Sequence, residues 1–196
     1  MKKILFLLVL TIVFSIVARA GDLEDGYKAY EKKDYATALE LWQPLAEEGV
    51  AKAEHNLGFM YQNGFGVEKD VSEAIKWYRR AARKGHGKSE YNLGVMYEKG
   101  EGVLQDYEES VKWYRKASRK GIANAQSNLG VMYEKGKGVT QGYVLAYMWY
   151  NLGAINGSDN GSNNRDVVAR KMTLIQIEEA QKRVKDCLKK GYRGCE

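Results

Sequence analysis

"NLGVMYEKGEGV" occupies residues 92–103 and returns as "NLGVMYEKGKGV" at 128–139, changed only at Glu101 against Lys137. A near-identical twelve-mer ending in Gly-x-Gly is either a duplicated phosphate loop or duplicated scaffold. The phosphate reading fails on chemistry. A dinucleotide fingerprint needs a third glycine and a preceding strand. Gln105 stands where that glycine would be, and the residues before the loop have helical spacing. The Lys-Ser/Thr of a P-loop is also missing.

Working outward, the two copies belong to a 36-residue period marked by Gly49, Gly85, Gly121 and Gly157. Each unit carries a small residue (Ala53, Ser89, Ala125), a Leu-Gly pair (Leu57-Gly58, Leu93-Gly94, Leu129-Gly130) and a tyrosine (Tyr61, Tyr97, Tyr133). Gly-x-Gly-Val follows, then Asp70, Asp106 or, out of pattern, Gly142, and later a Trp-Tyr pair (Trp77-Tyr78, Trp113-Tyr114, Trp149-Tyr150). A period of this length marks a solenoid whose units bury their apolar faces against their neighbours.

Ala53, Leu57 and Tyr61 share one face of a first helix, and Ala74, Trp77, Tyr78, Ala81 and Ala82 one face of a second. Asp70 with Glu73 and Asp106 with Glu109 have capping-box spacing at the second helix's start. Arg83-Lys84-Gly85 and Arg119-Lys120-Gly121 suit its end. Gly58 and its equivalents, lacking Cβ, let the helices approach where Trp77 must fit. The three tryptophans are expected in the core, and the loop glycines are expected at positive φ.

The repeats resemble the Sel1-like family, relatives of the tetratricopeptide repeats with a longer interhelix loop; the resemblance covers about 22–190. It implies an all-α fold, a right-handed α/α solenoid of antiparallel helix pairs, and an adaptor or ligand-binding role. The units are expected at 50–85, 86–121 and 122–157, after a shorter one at 21–49 that looks closer to a plain tetratricopeptide repeat and in which Pro44 should kink the second helix. Residues 158–196 are expected to form a helical cap: a polar loop "SDNGSNNRD", a short helix from Val167 to Met172, and a last helix opened by a Thr173–Gln176 capping box and ended by Gly191.

The first 20 residues have a basic start, an apolar run of 15 residues (Ile4–Ala18) and a small-x-small end at Ala18-Arg19-Ala20. That is signal-peptide anatomy, with cleavage expected after Ala20; the run falls short of the ~20 residues of a spanning helix. The expectation is export to the periplasm or the cell exterior, with no membrane anchor after cleavage. Removing Lys2, Lys3 and Arg19 lowers the net charge from +6 to +3, which argues against a nucleic-acid partner. Cys187 and Cys195, an even count in an exported chain, favour a disulfide.

The candidate contacts are amides. Asn56, Asn92 and Asn128 hold one place in three first helices, though asparagine is a mediocre helix former. In solenoids of the family the first helices line the concave face. Each amide either bonds across to the neighbouring unit or offers itself to an extended peptide or a carboxylate, with Lys52 and Lys88 one turn earlier adding positive charge. The basic residues at the ends of the second helices, Arg79-Arg80 and Arg115-Lys116 among them, suit either an acidic polymer or helix-end charge complementarity.

Catalysis finds little support. A cysteine-rich secreted branch of the family has been ascribed penicillin binding and β-lactamase activity, and Ser158-Asp159-Asn160 spells one motif of serine β-lactamases. No Ser-x-x-Lys and no Lys-Thr-Gly accompany it. His55 and His86 lack partners at metal-ligand spacing, and no cofactor is implied. The expected function is a non-enzymatic scaffold binding a protein or peptide.

Overall fold

The computed structural model describes residues 21–195; the expected signal segment, 1–20, lies outside them. Among the described residues every regular element is a helix. They are α1 (21–31), α2 (Tyr35–Glu47), α3 (Ala51–Asn63), α4 (Val71–Arg83), α5 (Gly87–Lys99), α6 (Tyr107–Ser118), α7 (Ala123–Lys135), α8 (Tyr143–Ile155), α9 (Asp159–Ala169) and α10 (Leu174–Lys189). The chain divides into two compact units, one up to Lys84 and one from Gly85. Within the first, α2, α3 and α4 pack in sequence; within the second, α5 to α8 do the same, and α9 and α10 both pack on α8.

Each repeat folds as an antiparallel pair because one contact leaves no alternative spacing. A Cβ added to Gly58 would lie 2.7 Å from the Tyr78 ring, and one added to Gly94 or Gly130 would lie 2.5 Å from Tyr114 or Tyr150. The glycine slot is therefore filled by the tyrosine of the Trp-Tyr pair, not by the tryptophan expected there. Adjacent helical residues point about 100° apart, so only one of the two can face the first helix. In the short first repeat Trp42 takes the tyrosine's place, and a Cβ on Gly26 would collide with its indole. Trp77 and Trp113 are half-buried, their faces covered by Arg80 at 4.4 Å and Lys116 at 4.0 Å, and only Trp149 is buried as expected.

The Gly-x-Gly loop is a repeated joint. Gly64, Gly100 and Gly136 end the first helices at φ between 65° and 73°, and Gly66, Gly102 and Gly138 also lie at positive φ. Tyr61, Tyr97 and Tyr133 then accept the backbone N–H of Asp70, Asp106 and Gly142 at 2.9–3.0 Å. A Cβ on Gly66 would meet the Tyr35 carbonyl at 2.9 Å, and one on Gly138 would strike that of Tyr107. The variability of the residue between the glycines suggests a free position, but Phe65 and Lys137 are both engaged there. Phe65 stacks on Tyr35 at 4.6 Å, and Lys137 lies over the Tyr107 ring at 4.6 Å. Each meets the ring 30 residues before it.

Asp70 and Asp106 cap α4 and α6 through the N–H of Glu73 and Glu109 at 2.9 Å. The reciprocal half of the expected box is not recorded there: Glu73 and Glu109 pair with Lys76 and Lys112. The full box forms at Thr173–Gln176. α2 runs through Pro44 to Glu47 without a break.

The stretch read as a polar loop is helical. Ser158 caps α9, and Gly161 lets α9 approach so closely that a Cβ there would lie 2.8 Å from the Tyr150 carbonyl, the Ala154 nitrogen and the Ser127 hydroxyl. Tertiary contact overrides the weak helix propensity of "DNGSNN". Ala180, Val184 and Cys187 of α10 join the same core, and Cys187 is bridged to Cys195.

Within the repeats, acids of the first helix are buried against cations of the second. Glu54 is fully buried and takes Lys84 at 2.7 Å and Arg80 at 3.0 Å; Glu90, 3% exposed, pairs with Lys120. Lys84 also reaches the carbonyl of Gly49, and Arg80 that of Ala46, tying the end of α2 to α4. At the equivalent place in the last repeat Asn156 donates to Gln126 at 2.8 Å.

Two outcomes follow from this packing. Gly94→Leu should cost about 3 kcal/mol or more by overpacking, and Tyr114→Ala in the same chain should return part of it, as urea unfolding would show. Glu90→Gln alone should destabilise by roughly 1–3 kcal/mol because Lys120 loses its acid. Adding Lys120→Asn, the pair used by the last repeat, should recover a measurable part.

Candidate binding surface

The tyrosine that fills the glycine slot reaches past it. Its buried hydroxyl lies one turn further along the first helix and donates there: Tyr78 to Gln62 at 2.8 Å, Tyr114 to Glu98 at 2.6 Å, Tyr150 to Glu134 at 2.7 Å. Residues 62, 98 and 134 are thus part of the first-helix face, and the sequence reading missed them. Their signal was available, since they stand one residue beyond each repeated tyrosine and all can accept a hydrogen bond.

In the unit up to Lys84, Asn56 is buried. Its Oδ1 accepts the Tyr27 hydroxyl at 3.3 Å, and its Nδ2 has no partner among the described residues. Lys52 is exposed on the same helix. His55 packs against Tyr78, their ring centres 5.5 Å apart.

In the unit from Gly85, Asn128 donates to the Tyr114 hydroxyl at 3.0 Å, and the Tyr114 hydroxyl in turn donates to Glu98. Tyr91 lies beside them, its ring centre 6.0 Å from that of Tyr114. Burial pushes Tyr91 above its ordinary pKa, the Glu98 carboxylate adds to this, and a hydrogen bond with Asn128 partly offsets it. The result is a chain from half-buried Asn128 through the fully buried Tyr114 to half-buried Glu98, flanked by Tyr91. Asn92 is half-buried and Lys88 exposed on α5.

Of the readings open for these amides, bonding across to the neighbouring repeat is what Asn128 does. Asn92 and Asn128 share the second unit, while Asn56 stands in the first. The charge of the face is mixed, with Lys88 at the start of α5 and Glu98 near its end. Glu134 is held below its ordinary pKa although burial alone would raise it, because Lys171 and Tyr150 hydrogen-bond to it and Lys171 adds its charge.

The remaining candidates resolve into structural roles. Ser158 is 5% exposed, accepts the N–H of Gly161 and shares a hydrogen bond with Ser127 at 2.8 Å; it is a buried helix cap. His86 caps α5, its Nδ1 accepting the N–H of Ser89. Of the basic ends of the second helices, Arg80, Lys84 and Lys120 are engaged with buried acids, and Arg115 donates to the Tyr133 hydroxyl at 2.7 Å. Among the described residues no group of three or more His, Cys, Asp or Glu could hold a metal ion, and no helix is long and apolar enough to cross a membrane.

Stacked antiparallel pairs joined by a two-glycine loop define the class as α/α repeat proteins. The sequence model of the Sel1 repeat matches 19–50, 51–86, 87–122 and 123–158, so the chain belongs to the Sel1 repeat family. The first match takes in the short repeat. No curated protein matches the chain.

Among solved structures, it is similar to c5321, a protective antigen of uropathogenic Escherichia coli strains displaying an SLR fold, at 30% identity over 90% of this chain and 39% of that one, TM-score 0.81. It is also similar to a Sel1 repeat protein of Oxalobacter formigenes, at 32% identity over 74% of this chain and 58% of that one, TM-score 0.71. The cysteine rich protein B of Helicobacter pylori shares the fold at 20% identity, TM-score 0.51, over 72% of this chain and 95% of that one. The chain therefore spans less than two thirds of each of the first two.

The buried hydroxyls set the alkaline behaviour. Tyr114 and Tyr150 are pushed far above the ordinary 10.0, first by burial and then by donating to Glu98 and Glu134. A group whose folded pKa is raised contributes stability that is full below its unfolded value, here 10.0, and lost as pH rises toward the folded one. Wild-type unfolding free energy should therefore fall more steeply above about pH 10 than that of Tyr114→Phe/Tyr150→Phe, measured by urea titration at each pH.

Proposed function

We propose that this protein is an exported, non-enzymatic scaffold that binds a protein or peptide segment on the face of its first helices. Sel1 repeats generally act as protein-interaction scaffolds rather than enzymes. The observation that carries the reading here is the Asn128–Tyr114–Glu98 chain beside Tyr91. Its polar groups are fixed by the helix packing before any partner arrives, so little side-chain entropy remains to be lost on binding. Asn128 spends its N–H on Tyr114; its Oδ1 and the Glu98 carboxylate are acceptors for the N–H groups of an extended segment. Lys88 and Asn92 lie on α5 of the same unit; in the first unit, considered by itself, Lys52 and Asn56 hold the equivalent places on α3.

Export is supported by the basic start, apolar run and Ala-Arg-Ala of residues 1–20 and by the Cys187–Cys195 disulfide, a bond that persists in oxidising compartments. The description of c5321 as a protective antigen fits a chain that meets the outside of the cell.

The test is a capture experiment with residues 21–196 on envelope extract, repeated with Asn92→Ala/Asn128→Ala and with Lys185→Ala on the exposed side of α10. A partner retained by wild type and Lys185→Ala, and weakened at least tenfold by the amide variant at unchanged unfolding free energy, is the expected result. Equal retention by all three would place binding elsewhere. Amino-terminal sequencing of the protein recovered from the producing cells should begin at Gly21.

A further inference from the structure

We propose that the unit up to Lys84 carries an aromatic site that takes a lysine side chain of the partner segment. The proposal rests on the reading of the first helices as a binding face and names the chemistry that this unit accepts. The site is a cluster of four rings: Tyr30 at the end of α1, Tyr35 at the start of α2, Phe59 on α3 and Phe65 in the loop after α3. Tyr35 and Phe65 are stacked, with 4.6 Å between centres and 11° between planes. Tyr30, Phe59 and Phe65 lie 5.9–6.2 Å from one another at angles of 49° to 72°, inclined rather than stacked. Phe59 is 36% exposed, and Tyr30, Tyr35 and Phe65 are partly exposed.

The period shows that this cluster is an addition to the repeat. Phe59 stands where later repeats have Val95 and Val131, and Phe65 where they have Glu101 and Lys137. Tyr30, four residues after its slot glycine, stands where Gln62, Glu98 and Glu134 stand. Three departures from the pattern therefore meet in one place, and each puts a ring where the repeat has an aliphatic or polar residue. A ring added only to close the core would be buried, and Phe59 stays in solvent.

The chemistry of the occupant follows from what the chain does with such rings elsewhere. The face of an aromatic ring is negative and attracts a cation. Tyr35 opens α2 as Tyr107 opens α6 and Tyr143 opens α8. A lysine of the chain lies over each of the later two, Lys137 over Tyr107 at 4.6 Å and Lys171 over Tyr143 at 5.9 Å. At Tyr35 the position of Lys137 is held by Phe65, and among the described residues no lysine or arginine lies over a ring of the cluster. The first unit thus enlarges the ring surface that later repeats give to a lysine and leaves out the lysine. An ammonium group supplied by the partner completes the same contact.

The test follows the ring signals of carbon-13-labelled phenylalanine in the whole protein at constant ionic strength. Of the four phenylalanines, Phe59→Val and Phe65→Lys assign the two in the cluster. Both variants install residues that the second unit carries at the matching positions, Val95 and Lys137, so the unfolding midpoint should be preserved. The titrants are a short end-capped peptide with a central lysine, the same peptide with norleucine in its place, and choline. The Phe59 and Phe65 signals should move saturably with the lysine peptide, with Kd on the order of 10 mM or tighter, and the norleucine peptide should bind about tenfold more weakly. Phe59→Val should weaken the lysine peptide severalfold, and Phe65→Lys, which supplies the cation from within, should abolish its binding. Signals that never move, that saturate equally with norleucine, or that respond to choline and not to lysine overturn the proposal, as does undiminished binding in both variants. The norleucine comparison needs no variant to fold. A silent titration removes the lysine site alone, and equal capture by wild type and the amide variant removes the amide face alone.

Discussion

The fold depends on an aromatic ring lying where the facing helix has no Cβ. Gly26 with Trp42, Gly58 with Tyr78, Gly94 with Tyr114 and Gly130 with Tyr150 repeat this contact. A collision at 2.7 Å or less cannot be relieved by a small rotation, because the ring is buried on every other side. Overpacking at such a site costs about 1–3 kcal/mol or more, against a total stability of about 5–15 kcal/mol for an ordinary domain. The slot also sets what the surface can do. A tyrosine in it carries its buried hydroxyl past the slot to residue 62, 98 or 134 of the first helix. A tryptophan in it cannot; the Trp42 Nε1 donates to the carbonyl of Leu23. Core packing and the polar face are therefore consequences of one contact.

Much of this was legible in the sequence because backbone requirements leave strong marks. A glycine at positive φ, an aspartate at a helix start and a 36-residue period each have few alternative explanations, and the loops and caps formed accordingly. Choosing tryptophan over tyrosine for the slot failed for a definite reason. Neighbouring residues on a helix differ by about 100°, and apolar spacing cannot decide between two adjacent aromatics when both are partly buried. The helix at Asp159–Ala169 was illegible because its residues carry little propensity of their own; it exists through contacts of Gly161 with Ser127, Tyr150 and Ala154, which come together only after the chain has folded. On the candidate face, the amides were visible, but the acceptors beside them were not sought, since glutamate on a helix ordinarily reads as a solvated side chain.

The charges follow burial as closely as the apolar residues do. Glu54 and Glu90 are buried acids, and the cations beside them belong to helix ends that the sequence presents as a basic ridge. Reading that ridge as a surface for acidic polymers would count these ions twice. Arg80 and Lys84 have left the solvent-facing account by tying α4 to the end of α2 through Glu54, Ala46 and Gly49.

The last repeat shows what happens when burial changes while the period does not. α8 packs against α7, α9 and α10 at once, and Ala146 to Tyr150, Leu152 and Gly153 are all buried. An ion pair beside such a helix would lose its water on every side, and desolvation can then exceed the Coulombic gain. The sequence answers by changing both partners together: glutamate and lysine become Gln126 and Asn156, and the lysine that covers Trp113 becomes Leu152. Each substitution removes a charge from a place that has become dry.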